Sequence, residues 1–278
     1  MPDHVPDWLS AHPDERAKLR NGGIIVVPAA RGGKDSIHGG MVQDWLGCTF
    51  IPGATIEAVR AVMQNYAAYK DYYGPEVIES KLLDHRGSQY DIFLRLYKKE
   101  FITVVLNVNY RVDYTNLANG GLAVVSRSTR IAQVKDPERS MTVERPPGDD
   151  LGLLWALNSY WRFTPAPDGV YVQMRAISLS RELPFGLGWL KGFVKRFPRE
   201  SMHNTLAGTR KAVMAWRPVR GSALHRGHGI AVFAAKNSIE YSGEFFMNPA
   251  IIGQNVRAPQ VRSRAFHIRT DSARLAHQ

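Results

Sequence analysis

The sequence predicts an α+β protein in which one antiparallel sheet of seven strands packs against a single long helix at the end of the domain. Three observations carry this. Between Pro184 and Trp216, Leu187, Leu190, Phe193, Val194 and Phe197 recur at three- and four-residue steps, and Met202, Leu206, Thr209 and Val213 resume the pattern after Pro198. That is one face of a helix of about thirty residues, roughly 45 Å at ~1.5 Å per residue, with a kink or fresh start expected at the proline. Seven segments of strand character precede it, with one short helix after the first. Most connections between them are too short for a crossover, so consecutive strands must pair antiparallel.

Taken in order, residues 1–41 form an N-terminal extension with little periodic pattern. Trp8 and Leu9 could cap an edge of the domain, and Ile24–Val27 could form a short strand. Arg31-Gly32-Gly33-Lys34-Asp35-Ser36 lacks the spacing and following helix of a phosphate loop and reads as a turn. The domain proper is expected over 42–216. Val42–Ile51 is its first strand, closed by Pro52-Gly53. Thr55 suits a helix N-cap, and Ile56, Val59, Val62, Met63 and Tyr66 mark one face of a short amphipathic helix. Tyr66, Tyr69, Tyr72 and Tyr73 then cluster at its end, read as packing residues at the mouth of a pocket rather than a base-stacking surface. Six strands follow, near 76–85, 88–97, 101–113, 122–134, 151–163 and 170–182, separated by turns such as Asn119-Gly120-Gly121. The charged stretch Lys135–Asp150, with Pro146-Pro147-Gly148, reads as an exposed loop.

Two strands show their faces. Ile102, Val104, Leu106, Val108, Tyr110 and Val112 alternate with Thr103, Asn107, Asn109, Arg111 and Asp113, as in a sheet wet on one side and covered on the other. In the next-to-last strand Leu153, Trp155, Leu157, Ser159, Trp161 and Phe163 share the covered face. Arg127 and Arg130 are three apart, so a regular strand points one of them inward, where it needs a carboxylate or an anionic ligand group. Arg95 and Arg175 stay ambiguous, because strand parity is not fixed across the turns.

Strand, helix, six antiparallel strands, long helix is an order that resembles the START-like (SRPBCC, helix-grip) superfamily. Gly152-Leu-Leu-Trp-Ala-Leu-Asn-Ser-Tyr-Trp-Arg-Phe163 and Ile177-Ser-Leu-Ser-Arg-Glu-Leu-Pro184 carry the resemblance, which covers roughly Val42–Trp216. This superfamily also contains the polyketide cyclases and the ubiquinone-binding chaperones. The resemblance implies a curved seven-stranded sheet gripping the helix, with a hydrophobic cavity between them.

The function expected is binding or carriage of a hydrophobic small molecule, a lipid, isoprenoid or polyketide-like compound, in that cavity. Leu106, Val108 and Tyr110 on one strand, Trp155, Leu157 and Trp161 on another, and Phe193 and Phe197 on the helix would supply affinity at about 25 cal/mol per Å² buried. Arg130 or Tyr110 would orient the ligand. The alternatives are a cyclase or dehydratase using the same cavity, and a protein-binding adaptor using the tyrosine-rich loop and the tail. No nucleophile elbow, His-Glu-x-x-His motif or paired carboxylates appear, and His203 and His85 read as surface residues, so the sequence offers no catalytic residue. No cofactor or metal is called for: Cys48 is the only cysteine and reads as buried, and His225 and His228 lack a third ligand.

Of the net charge of +11, nine basic residues against three acidic ones place +6 beyond Trp216, in a basic tail of residues 217–278. The basicity therefore belongs mostly to the tail, and argues against specific nucleic-acid binding by the domain. No apolar run approaches a membrane span or a signal peptide in length. A cytoplasmic setting is expected, with transient membrane contact as a further partner of the carrier reading.

Overall fold

The computed structural model describes residues 7–29, 34–37, 39–99, 103–150, 152–181 and 191–217, with 34–37 and 191–197 described as backbone only. These belong to the compact unit Pro2–Val219. The expected basic tail lies outside the described residues beyond Arg217, as do Leu187 and Leu190.

Two short helices, α1 (Trp8–Ala11) and α2 (Glu15–Arg20), lead into β1 (Ile24–Pro28), β2 (Lys34–Ile37) and β3 (Gly40–Pro52). The helix α3 (Ile56–Gln64) follows, capped as expected by the Thr55 hydroxyl, which accepts from Ala58 N at 3.2 Å. A single turn at Tyr66–Ala68 and the short α4 (Tyr69–Tyr72) complete the excursion. Then come β4 (Val77–Arg86), β5 (Gln89–Lys99), β6 (Thr103–Asn116), β7 (Leu122–Asp136), β8 (Ser140–Glu144), β9 (Ala156–Ala166), β10 (Gly169–Arg181) and α5 (Lys191–Ala215).

All strands pair antiparallel in one sheet of order β1-β3-β10-β9-β7-β6-β5-β4, with β2 on β3 and β8 on β7. The α+β class and the single long helix stand, but the sheet is larger than seven strands. Residues 34–36, the end of the stretch 31–36 expected as a turn, belong to β2, which pairs with the start of β3. The stretch read as an exposed loop contains β8, which is tied down from β6 and β7: Glu144 accepts from Asn107 Nδ2 at 2.8 Å and pairs with Arg130. Polar composition hid this strand, because its binding is through charged hydrogen bonds and not through an apolar face.

The first residues cover the outer face of the sheet. Leu9 and Leu19 are buried there with Leu46, Phe50, Tyr160 and Tyr171, and Leu9 N donates to Gln173 Oε1 at 3.1 Å. The inner face carries the larger core, into which α5 inserts Met202, Leu206, Thr209 and Val213, all 3% exposed or less. The helix is continuous through Pro198 with no fresh start; its 25 residues span about 37 Å at ~1.5 Å each.

Two glycines set how closely α5 lies on its bed. A Cβ on Gly47 of β3 would fall 2.6 Å from Leu206 Cδ1 and 2.7 Å from Met202 Sδ. A Cβ on Gly208 of α5 would fall inside 3.0 Å of the Tyr72 carbonyl oxygen and 3.2 Å from Tyr73 Cδ1. At Gly208 the missing side chain lets main chain approach main chain, and at Gly47 it makes room for the Leu206 and Met202 side chains.

Candidate functional site

Between the inner face of the sheet and α5 lies a cavity of about 380 Å³. Its floor is a set of rows fixed by strand register. Along one row Trp45 of β3 opposes Ala176 of β10, which opposes Ser159 of β9, then Ser126 of β7 and Val112 of β6. Along the next, Leu106 opposes Leu96, with Tyr110 against Ile92 further along the same two strands. Met202 and Thr205 of α5 form part of the roof. The lining is thus apolar with scattered hydroxyls, the kind of surface that takes up a small hydrophobic molecule.

One end of the cavity is walled by the tyrosine cluster. Tyr69 and Tyr114 both donate to the Met63 carbonyl oxygen, at 2.6 and 2.7 Å. Since Tyr114 spends its only proton there, Tyr66 must donate to Tyr114 Oη, 2.7 Å away. Met63 lies in the last turn of α3, whose carbonyls have no intrahelical partner, so these tyrosines cap the helix C-terminus from the side. Tyr73 Oη in turn lies 3.1 Å from Thr209 Oγ1, which donates to Thr205 O and so leaves Tyr73 as donor. Burial raises all four phenols above their ordinary range, Tyr73 to about 12. The expectation of packing tyrosines beside a pocket matches this placement, and the caps add a reason for each hydroxyl.

Charge is confined to the strand ends. Lys98, next to the last residue of β5, lies 3.6 Å from Glu200 of α5, and Arg181 ends β10. Glu76 is the one carboxylate among the described lining residues; its two oxygens accept from Ser201 Oγ at 2.5 Å and Asn204 Nδ2 at 3.0 Å, which ties α5 to the start of β4. Among the described residues no group of three or more His, Cys, Asp and Glu could hold a metal ion.

The residues singled out in the sequence divide. Leu106, Tyr110, Leu157 and Trp161 line the cavity. Val108 is fully buried in the core beneath them and is not part of the wall. Trp155 precedes β9, is 40% exposed, and stacks outside under the Arg181 guanidinium at 5.8 Å. Its backbone, not its ring, joins the sheet, through a bond to Leu179 O of 2.7 Å. The side chains of Phe193 and Phe197 lie outside the described residues.

Arg130 is displaced most from its expected role, and the cause is a β-bulge. Asn109 pairs with Arg130 but Tyr110 pairs with Ser128, so Thr129 is an extra residue in β7. The bulge cancels the odd spacing and turns both Arg127 and Arg130 outward. Arg130 binds Glu144 there, and Arg127 lies 3.5 Å from Asp113. Arg95 pairs with Glu79, and Arg175 donates to Asp44 at 2.8 Å; both are outer-face residues. None of the four arginines enters the cavity. His203 is exposed, His85 stacks on Tyr90 at 4.1 Å outside the cavity, and Cys48 is buried under the N-terminal helices with its thiol pushed up to about 12 by desolvation. Ser159 lines the cavity on the face that alternation assigned to it, whereas Trp45 and Ser126 were not legible as wall residues, because their membership depends on the register between strands distant in sequence.

No family model and no curated protein matches the chain. Similar solved structures include a STAR-related lipid transfer protein fragment from Xanthomonas axonopodis, at 17% identity over 66% of this chain and 99% of that one, with a TM-score of 0.46. Human STARD10 is similar at 13% identity over 77% of this chain and 82% of its own, TM-score 0.46. The Zhui aromatase/cyclase from Streptomyces sp. R1128 is similar at 12% identity over 62% and 92%, TM-score 0.38. These are likenesses of fold alone.

Proposed function

We propose that this protein binds and carries a mainly apolar small molecule in the cavity between the sheet and α5. The observation that carries the reading is the cavity itself: about 380 Å³, walled by Leu, Val, Met and aromatic side chains, with its charged groups held at the strand ends. That volume lies within the range of sites for drug-sized ligands, at about 300–1,000 Å³. The hydroxyls of Tyr66, Tyr69, Tyr73 and Tyr114 are committed to caps and to α5, which favours a container over a site with a poised acid or base. Lipid transfer and cyclase chemistry are named for the similar proteins, and carriage is the part of that range that these residues support.

Native mass spectrometry of the purified protein, before and after organic extraction, tests the proposal. Retention of a small apolar molecule, or saturable one-to-one uptake of an apolar fluorophore after extraction, is expected. A protein that stays empty and takes up no apolar probe refutes it.

A further inference from the structure

The cavity wall holds polar groups that the fold does not use, among them Trp45 Nε1, buried without a hydrogen-bond partner, and the hydroxyl of Tyr110. Tyr110 is 6% exposed and lines the cavity, yet its hydroxyl makes no hydrogen bond with any described residue. Burial alone raises its pKa, with no hydrogen-bonding group contributing. A buried hydroxyl without a partner is costly, and the other buried cavity tyrosines all avoid that cost by bonding to the Met63 carbonyl, to each other or to Thr209. Next to it on the same floor, Ser126 opposes Val112, two residues along from Tyr110, and also opposes Ser159 across β7 and β9. The Ser126 hydroxyl likewise has no described partner, while Ser159 Oγ accepts from Trp161 Nε1 at 3.2 Å and keeps its own proton. Three hydroxyls on three adjacent strands therefore stand together in an otherwise apolar floor.

The charges are far from them. Lys98 and Ile92, the partner of Tyr110, are six residues apart on β5, about 20 Å at a rise of ~3.3 Å per residue. An ionised group beside Tyr110 would meet no cation among the described lining residues and would lose its hydration uncompensated.

We infer that the cavity selects a neutral, oxygen-bearing apolar molecule, such as a ketone, quinone or ester, whose oxygen accepts from Tyr110 beside Ser126 and Ser159. This rests on the carriage reading and narrows it: a plain hydrocarbon would leave the hydroxyls unpaired, and a carboxylate would carry its charge into the cation-free end.

Fluorenone and fluorene separate these cases, since the two share one ring skeleton and differ by C=O in place of CH₂. Their affinities are measured by calorimetry with the full chain and with Tyr110→Phe. Comparing the ratio of affinities between proteins cancels the probes' different preference for water. The ratio is expected to favour fluorenone about three- to tenfold more in the wild type than in Tyr110→Phe, the worth of one neutral hydrogen bond. Tyr110→Phe should melt no lower than the wild type, because the hydroxyl it removes has no partner in the fold; Ser126→Ala reads the same ratio from the next strand. An unchanged ratio in both variants overturns the inference and leaves carriage standing. A wild-type protein that binds neither probe overturns both.

Discussion

Substituting Gly208 by alanine sets two effects of opposite sign against each other. Gly208 lies in the interior of α5, where alanine is intrinsically better than glycine by about 1 kcal/mol. Propensity alone therefore predicts stabilisation. The structure predicts the reverse, since the new Cβ would fall inside 3.0 Å of the Tyr72 carbonyl oxygen, a separation Cβ atoms essentially never show. The obstacle is main chain, so no rotamer change relieves it, and the 3.2 Å approach to the Tyr73 ring blocks sideways movement. Overpacking costs about 1–3 kcal/mol, and rigid main chain puts this case at the upper end. The net loss is about 1–2 kcal/mol, a fall in Tm of about 2–8 °C for a domain of this size. Displacing α5 here also pulls Thr209 away from Tyr73, at the tyrosine wall of the cavity. Uptake of an apolar fluorophore should weaken together with Tm. Calorimetry and denaturant titration of the full chain check the first effect, and fluorophore titration the second. A Gly208→Ala protein that melts higher than the wild type refutes the close-packed placement of α5 on α4.

Three further outcomes follow from the same geometry. Tyr114→Phe breaks the chain from Tyr66 to the Met63 carbonyl and should cost about 1–3 kcal/mol in denaturant titration, more than Tyr66→Phe, which removes only the outer link. Arg130→Ala should leave fluorophore binding at the wild-type value, since its guanidinium lies on the outer face with Glu144; a loss of binding would restore the inward arginine. The Cys48 thiol, raised by burial to about 12 against about 8.5 when unfolded, contributes stability that is complete below pH ~8.5 and is lost as pH rises towards 12. Native protein at pH 8 should accordingly resist iodoacetamide until denaturant is added, and Cys48→Ala should decline less steeply than the wild type at alkaline pH.

How much of this was readable from the sequence depended on the range of the interaction involved. The α5 face Met202, Leu206, Thr209 and Val213, the Thr55 cap and the alternation of β6 are local patterns, and each appears where the period puts it. Trp155 misled because alternation was extended across residues that precede the strand, where the chain bends and the ring turns to Arg181. Val108 misled in another way, since the inner face includes both solid core and cavity wall, and side-chain type does not separate them. Arg130 depended on counting by twos through Thr129. A single inserted residue reverses every later face, and nothing in Ser126-Arg127-Ser128-Thr129-Arg130 marks the bulge.

That bulge also determines what the cavity can hold. Had β7 run regularly, the spacing would have sent either Arg127 or Arg130 into the floor near Tyr110, and an anionic group would have been the natural guest. With Thr129 inserted, the cationic side chains go to Asp113 and Glu144 on the wet face, and Glu144 in turn anchors β8 through Asn107 and Arg130. Taking up Thr129 as a bulge, and not in a regular ladder, therefore keeps Arg130 with Glu144 outside the sheet and leaves hydroxyls, not guanidinium groups, on the inside. Deleting Thr129 should preserve both effects. Ser128 stays opposite Tyr110 and Arg130 opposite Asn109, and the two arginines, now two apart in a regular strand, still share the outer face. The deletion variant should therefore keep the wild-type preference for neutral probes; a variant that loses it and gains affinity for anionic probes would show that the register of β7 is not set by its pairing with β6.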